Sequence, residues 1–125
     1  MRKKVLIVED NLVLAYLMES YLEESGCAEV IGSVDNGADA IQMALDLNPD
    51  VILMDIRIEG DIDGIETADM INESSDIPII YTSGNSEKKT ADRAKKTNMQ
   101  SFLVKPVNKQ ELIKLICSAK KNLSK

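Results

Sequence analysis

The chain has 125 residues, with 21 acidic against 15 basic side chains for a net charge of −6, and it contains no histidine. That absence excludes a Ser-His-Asp triad, a Cys-His pair, an imidazole-ligated zinc centre and an imidazole general base. Chemistry here must rest on carboxylates, lysines, hydroxyls or a bound ion, in a chain of single-domain length, 1–125, that is 44% apolar and 29% charged and so able to form an ordinary core.

The chain opens with Met1-Arg2-Lys3-Lys4, but only Val5 to Val8 follow as an apolar run before two acids. Neither a signal peptide nor a membrane span fits there, and a cytoplasmic location is expected. Val5-Leu6-Ile7-Val8 reads as a strand buried on both faces. Leu14, Leu17, Met18, Tyr21 and Leu22 then recur with helical period on a helix ending at Gly26. Ala28 to Ser33 is a weaker strand whose Glu29 and Gly32 suggest a sheet edge. Ala38, Ile41 and Leu45 mark a second helix, capped by Asp35 or Asn36 and closed by Pro49.

Val51 to Met54 is the third strand, and Ile65, Ala68 and Ile71 mark a third helix opened by Asp63-Gly64. Ile77 to Tyr81 reads as the fourth strand. The helix expected from Ser86 to Thr97 has only Ala91 and Ala94 as apolar content, so it is the least anchored and the best candidate to shift. Phe102 to Val104 is the fifth strand. Leu112, Leu115, Ile116, Ala119 and Leu123 mark the last helix, capped by Asn108 and finished by Lys120 and Lys121 near its negative end. Cys27 and Cys117 match no metal spacing and are expected as two thiols in a reducing compartment. Three Tyr, one Phe and no Trp, with the acid excess, argue against a nucleic-acid surface.

Five strands each followed by a helix, without a linker or repeat, predict an α/β fold with a single doubly wound parallel sheet and helices on both faces. Ligands on such sheets bind beyond the carboxyl ends of the strands. The polar residues collect there. Glu9 and Asp10 follow the first strand, Asp55 ends the third, Thr82 and Ser83 end the fourth, and Lys105-Pro106 ends the fifth. Three crowded carboxylates repel unless some protonate or a cation joins them, and an all-oxygen set selects Mg²⁺, with Mn²⁺ as a substitute. One divalent ion and Lys105 balance the three carboxylates, and a phosphoryl group added to Asp55 would leave a modest negative excess for hydroxyl and backbone donors. An aspartate can attack phosphorus without first losing a proton, so no histidine base is needed.

In this order and spacing, from Val5 to about Leu123, the chain resembles the receiver domains of two-component response regulators, similar to the chemotaxis regulator. The resemblance implies a flavodoxin-like (βα)5 fold with strand order 2-1-3-4-5. It implies Asp55 as phosphoacceptor, Asp10 as a direct Mg²⁺ ligand, Glu9 acting mainly through metal-bound water, and the Arg57 backbone carbonyl in the ion's shell. Lys105, Thr82 and Ser83 would contact the phosphoryl group, and the bond before Pro106 would be cis. Thr82 and Phe102 would form the switch, read out on the surface of the fourth helix, fifth strand and fifth helix. The donor would be a sensor histidine kinase or a phosphotransfer protein, with an unspecified output partner on that surface. Direct nucleic-acid or membrane binding is not expected, and the chain would be a monomer or a weak phosphorylation-dependent dimer. On this reading it catalyses only its own phosphorylation and dephosphorylation.

Three departures from the family pattern stand out. The loop from Ile58 to Gly64 lacks the usual proline and is about one residue longer; Arg57 and Gly84 occupy positions that tune water access to the acyl phosphate; Phe102 replaces the commoner tyrosine. Three other readings remain open. A metal-dependent phosphatase of the haloacid dehalogenase type would need an acid where Arg57 stands. A flavodoxin-like cofactor binder would need a Ser/Thr/Gly-rich first loop in place of Glu9-Asp10-Asn11. A receiver-shaped adaptor would never phosphorylate at all, against the intact acid, Thr and Lys set.

Overall fold

The computed structural model describes residues 2–84 and 87–120. Strands β1 (Lys3–Val8), β2 (Ala28–Val34), β3 (Val51–Asp55), β4 (Ile79–Ser83) and β5 (Met99–Val104) alternate with helices α1 (Leu12–Ser25), α2 (Gly37–Leu47), α3 (Gly64–Asn72), α4 (Lys88–Lys95) and α5 (Lys109–Cys117). The strands form one sheet in the order β2-β1-β3-β4-β5, and all four neighbouring pairs are parallel. The expected order is therefore the observed one.

Alternate residues of each central strand feed the two faces, as the twofold strand period requires. Leu6, Val8, Ile52 and Met54 join Ala40, Ala44, Ile65, Ala68, Ile71 and Ala94 under α2, α3 and α4. Val5, Ile7, Val51 and Leu53 join Ala15, Met18, Leu22, Leu112 and Ile116 under α1 and α5. Each large aliphatic side chain so buried contributes about 1.5–3 kcal/mol relative to exposure. The sheet is thus fixed by both layers, which holds the five strand ends on one rim.

Local capping sets where the helices start. Asn11, Asn36, Asp63 and Asn108 accept backbone N–H groups at the first turns of α1, α2, α3 and α5. Asp63 and Glu66 form a reciprocal capping box. Gly26 at φ 78° ends α1 in the left-handed region.

Several expectations need correction. In α2 the buried line is Gly37, Ala40 and Ala44, while Ala38 and Leu45 face outward; the small side chains let the helix lie close to the sheet, and Ile41 and Met43 pack half-buried beside them. In α1 Leu17 is likewise exposed, and Ala15 takes its place beside Met18 and Leu22. Strand β4 begins at Ile79, because Pro78 has no N–H for the ladder, although its carbonyl still accepts from Ile52. Helix α4 is shorter than the 86–97 span, with Ala94 as its one buried side chain. Helix α5 stops at Cys117; Ala119 is buried beyond it, and Lys121 and Leu123 lie outside the described residues. The two cysteines are not separate thiols: Cys27 and Cys117 are joined as a disulfide, with Cα atoms 5.8 Å apart. Their distance along the chain hid this, because the fold brings the start of β2 against the end of α5.

Candidate functional site

The site grows from the rim of the sheet. Glu9 continues β1 by donating its N–H to the Val34 carbonyl at 2.9 Å, and this turns its side chain into the rim, where it is buried. Asp10 follows at a half-exposed position. Asp55, 4% exposed, ends β3 and pairs in register with Thr82 of β4. Lys105 follows β5, its N–H donating to the Ser83 carbonyl at 2.7 Å, and the Lys105–Pro106 peptide is cis.

These strand ends bring four charged groups together. The Lys105 Nζ lies 3.2 Å from Glu9 Oε1 and 3.2 Å from Asp55 Oδ2. One carboxylate oxygen from each of Glu9, Asp10 and Asp55 falls within 4.8 Å of the others. The Asn11 N–H donates to Glu9 Oε2 at 3.1 Å, and the Arg57 N–H approaches Asp55 Oδ1 at 3.4 Å. Arg57 itself is exposed.

Electrostatics follow from this crowding. Burial raises the Glu9 pKa above the ordinary carboxylate value; the Asn11 N–H opposes this, the Asp55 carboxylate adds to it, and Lys105 offsets part of the rise. Asp10 is raised too, by burial and then by Glu9. For Lys105 burial disfavours the charge, but the Asp55 and Glu9 carboxylates outweigh it and the pKa is raised. The pocket therefore carries more negative charge than Lys105 alone can neutralise.

Two buried oxygens lack hydrogen bonds among the described residues: Glu9 Oε1, which has only its ion pair to Lys105, and Thr82 Oγ1. A carboxylate trio of this span with an under-used buried oxygen is a donor set that fits a small hard cation. Thr82, 1% exposed, presents a hydroxyl that meets no hydrogen-bond partner among the described residues. Ser83 is also buried at the end of β4.

Phe102 lies apart from the acids. It packs against the core layer under α4, tilted onto the Tyr81 ring with centroids 6.5 Å apart. Sequence reading passed over Tyr81 as an ordinary strand residue. Its ring is fully buried and its hydroxyl meets Thr97 Oγ1 at 2.7 Å, tying β4 to the turn after α4. Also missed was Arg93, which reaches from α4 to Asp63 Oδ2 at 2.9 Å, so the α3 cap and α4 share one carboxylate. An Arg opposite a capping Asp leaves no local sequence signal; only the fold pairs them.

Gly64 supplies the last constraint. A Cβ there would run into the Asp55 carbonyl and meet the Ile56 Cα at 2.9 Å, while the Gly64 N–H donates to the Ile56 carbonyl at 2.7 Å. The first turn of α3 is thus seated directly on the backbone of the residue that would react.

Comparison with known proteins places this geometry. Residues 5–117 match the response regulator receiver domain family. Protein-glutamate methylesterase/protein-glutamine glutaminase 1 of Syntrophomonas wolfei is 32% identical over 90% of this chain and 35% of that protein. Transcriptional regulatory protein ResD of Bacillus subtilis is 32% identical over 88% of this chain and 45% of that one. Among solved structures, the signal receiver domain of a modulated diguanylate cyclase from Desulfovibrio desulfuricans G20 superposes with a TM-score of 0.85 at 38% identity, covering 93% of this chain and 91% of that one. The chain spans a third to under half the length of these two curated relatives. Neither the phosphatase nor the cofactor-binding reading gains support from them. No helix among the described residues is long and apolar enough to cross a membrane. The chain belongs to the receiver domain family of two-component response regulators.

Proposed function

We propose that residues 1–125 act as one receiver domain in which Asp55 accepts a phosphoryl group from a phosphohistidine on a sensor kinase or phosphotransfer protein. The observation that carries this is the shared Lys105 ammonium, 3.2 Å from both Glu9 and Asp55, beside a buried Thr82 hydroxyl without a hydrogen-bond partner among the described residues. An Asp55 oxygen attacks phosphorus as the P–N bond to the donor imidazole breaks. Lys105 then leaves Asp55 Oδ2 to pair with a phosphoryl oxygen, and Thr82 and Ser83 donate hydroxyl hydrogen bonds to the others. Asp10 and Asp55 would hold Mg²⁺ or Mn²⁺, with Glu9 acting through water and the Arg57 carbonyl completing the protein's share. The ion would neutralise charge on the transferring oxygens.

The switch is read on the surface of α4, β5 and α5. Movement of Thr82 toward the phosphoryl group opens space beside β5, into which Phe102 repacks, and α4, whose one buried side chain is Ala94, follows. The phosphodonor docks beside the acids, where Leu12, Val13 and Tyr16 on the first turns of α1 are 75%, 79% and 73% exposed. Such an apolar face fits the helices of a donor protein. The domain is cytoplasmic, catalyses only its own phosphorylation and dephosphorylation, and is a monomer or a weak phosphorylation-dependent dimer.

The test is incubation with acetyl phosphate or phosphoramidate and Mg²⁺, followed by intact mass. Gain of one phosphoryl group is expected, and Asp55→Ala abolishes it. A wild-type protein that binds Mg²⁺ yet takes up no phosphoryl group from either donor would refute the reading.

A further inference from the structure

The Cys27–Cys117 pair lies on the opposite rim from the acids, and nothing in the phosphorylation chemistry uses it. Cys27 follows the Gly26 cap of α1, and Cys117 is the last residue of α5. Their separation in sequence is 90, so the link closes most of the chain. Both residues are half-buried, within reach of a small-molecule thiol. The Ser25 hydroxyl lies 3.3 Å from the Cys27 Sγ and donates to the Leu22 carbonyl at 2.6 Å. This places a polar partner next to one sulfur.

The other ties on α5 are weak. Lys109 at its start meets Glu24 at 3.2 Å and the Tyr21 ring at 5.3 Å, both near the surface, where such contacts contribute little. Beyond its end, Lys3 Nζ donates to the Ala119 carbonyl at 2.5 Å. Leu112 and Ile116 supply the buried contacts. A covalent bond from Cys117 to the start of β2 is therefore the strongest restraint on how far the end of α5 can move.

We infer that Cys27 and Cys117 form a reversible thiol–disulfide site whose oxidation latches α5 onto the sheet. The co-reactant is a small-molecule disulfide such as oxidised glutathione. One protein thiolate attacks it, forming a mixed disulfide and releasing one glutathione thiolate; the second protein thiolate attacks the mixed disulfide and releases the other. Two electrons pass from the protein to glutathione, and the two thiol protons end on the released thiols. Reduction runs the same steps backwards. The latch stands whether or not Asp55 is phosphorylated.

The experiment compares the full chain after oxidised glutathione and after dithiothreitol by intact mass, thermal unfolding and amide hydrogen exchange. Oxidation should remove the mass of two hydrogens within one chain. Closing so long a loop should raise Tm by on the order of 15 °C, and exchange along α5 should slow. Cys27→Ser and Cys117→Ser should each unfold near the reduced wild type under both reagents, the remaining thiol going no further than a mixed disulfide with glutathione and neither Tm nor α5 exchange gaining from it. Persistence of both thiols under oxidised glutathione, or bonding between chains in place of within one, would overturn the inference. So would a bond that forms without changing Tm or α5 exchange.

Discussion

Replacing Thr82 by Val separates the two states that this domain is built to occupy. The Thr82 side chain is 1% exposed and its hydroxyl has no hydrogen-bond partner among the described residues. An unsatisfied buried hydroxyl costs about 1–3 kcal/mol, and Val keeps the branched shape without it. Thr82→Val should therefore stabilise the unphosphorylated protein by about 1 kcal/mol, after allowance for the polar rim beside it. For a domain of this size that is about 4 °C in Tm. The same substitution removes a donor from the phosphoryl site, so the phosphorylated fraction should still form but should no longer slow hydrogen exchange or shift α4 relative to wild type. Urea unfolding gives the first quantity; hydrogen exchange with and without acetyl phosphate gives the second. A Thr82→Val protein destabilised by about 1 kcal/mol or more would show that the hydroxyl is bonded in the resting state and would refute the reasoning.

Lys105→Met leaves Glu9 and Asp55 buried without their shared cation, so it should cost about 3 kcal/mol in a chelator at neutral pH, and Mg²⁺ should recover a large part of this in a urea titration. The loss should shrink on acidification: the folded-state pKa of Glu9 is raised above 4.5, so its contribution to stability is full below about pH 4.5 and falls as pH rises through the folded value. A loss independent of pH would contradict this. Burial raises Tyr81 to about 12, so a tyrosinate absorbance step is expected there. Tyr81 should also make folding stability fall by roughly 3 kcal/mol between pH ~10 and ~12; Tyr81→Phe removes that fall and cuts the tie to Thr97. Asp63→Ala removes the α3 cap and should cost about 1–2 kcal/mol, whereas Arg93→Ala, which loses only a surface ion pair with the same carboxylate, should cost less than about 1 kcal/mol by chemical denaturation.

The rim was legible in the sequence because its residues break a strong pattern. Glu9, Asp10, Asp55, Thr82 and Lys105 each terminate an apolar run that only a two-sided strand explains, so their convergence followed from topology. The helix faces were less legible. In α2, Ala38, Ile41 and Leu45 satisfy the helical period as well as Ala40 and Ala44 do, and only the closeness of helix to sheet decides in favour of the small pair. Likewise Gln100 and Ser101 disguise the first half of an edge strand that continuous apolar runs cannot reveal. The contacts of Tyr81 with Thr97, Asp63 with Arg93 and Cys27 with Cys117 join segments whose local sequence carries no trace of the partner.

The missing side chain at Gly64 has a mechanical consequence. Because α3 rests on the Asp55 backbone with no atom between them, that side of the phosphoacceptor has no slack to take up a displacement. The opposite side has a Thr82 hydroxyl without a hydrogen-bond partner among the described residues and an α4 whose one buried side chain is Ala94, its other ties being polar. A load applied at Asp55 therefore meets a wall in one direction and a yielding element in the other. The fold acts as a rectifier, sending strain toward α4 and β5, and a side chain at position 64 would push on the backbone that carries the reacting carboxylate.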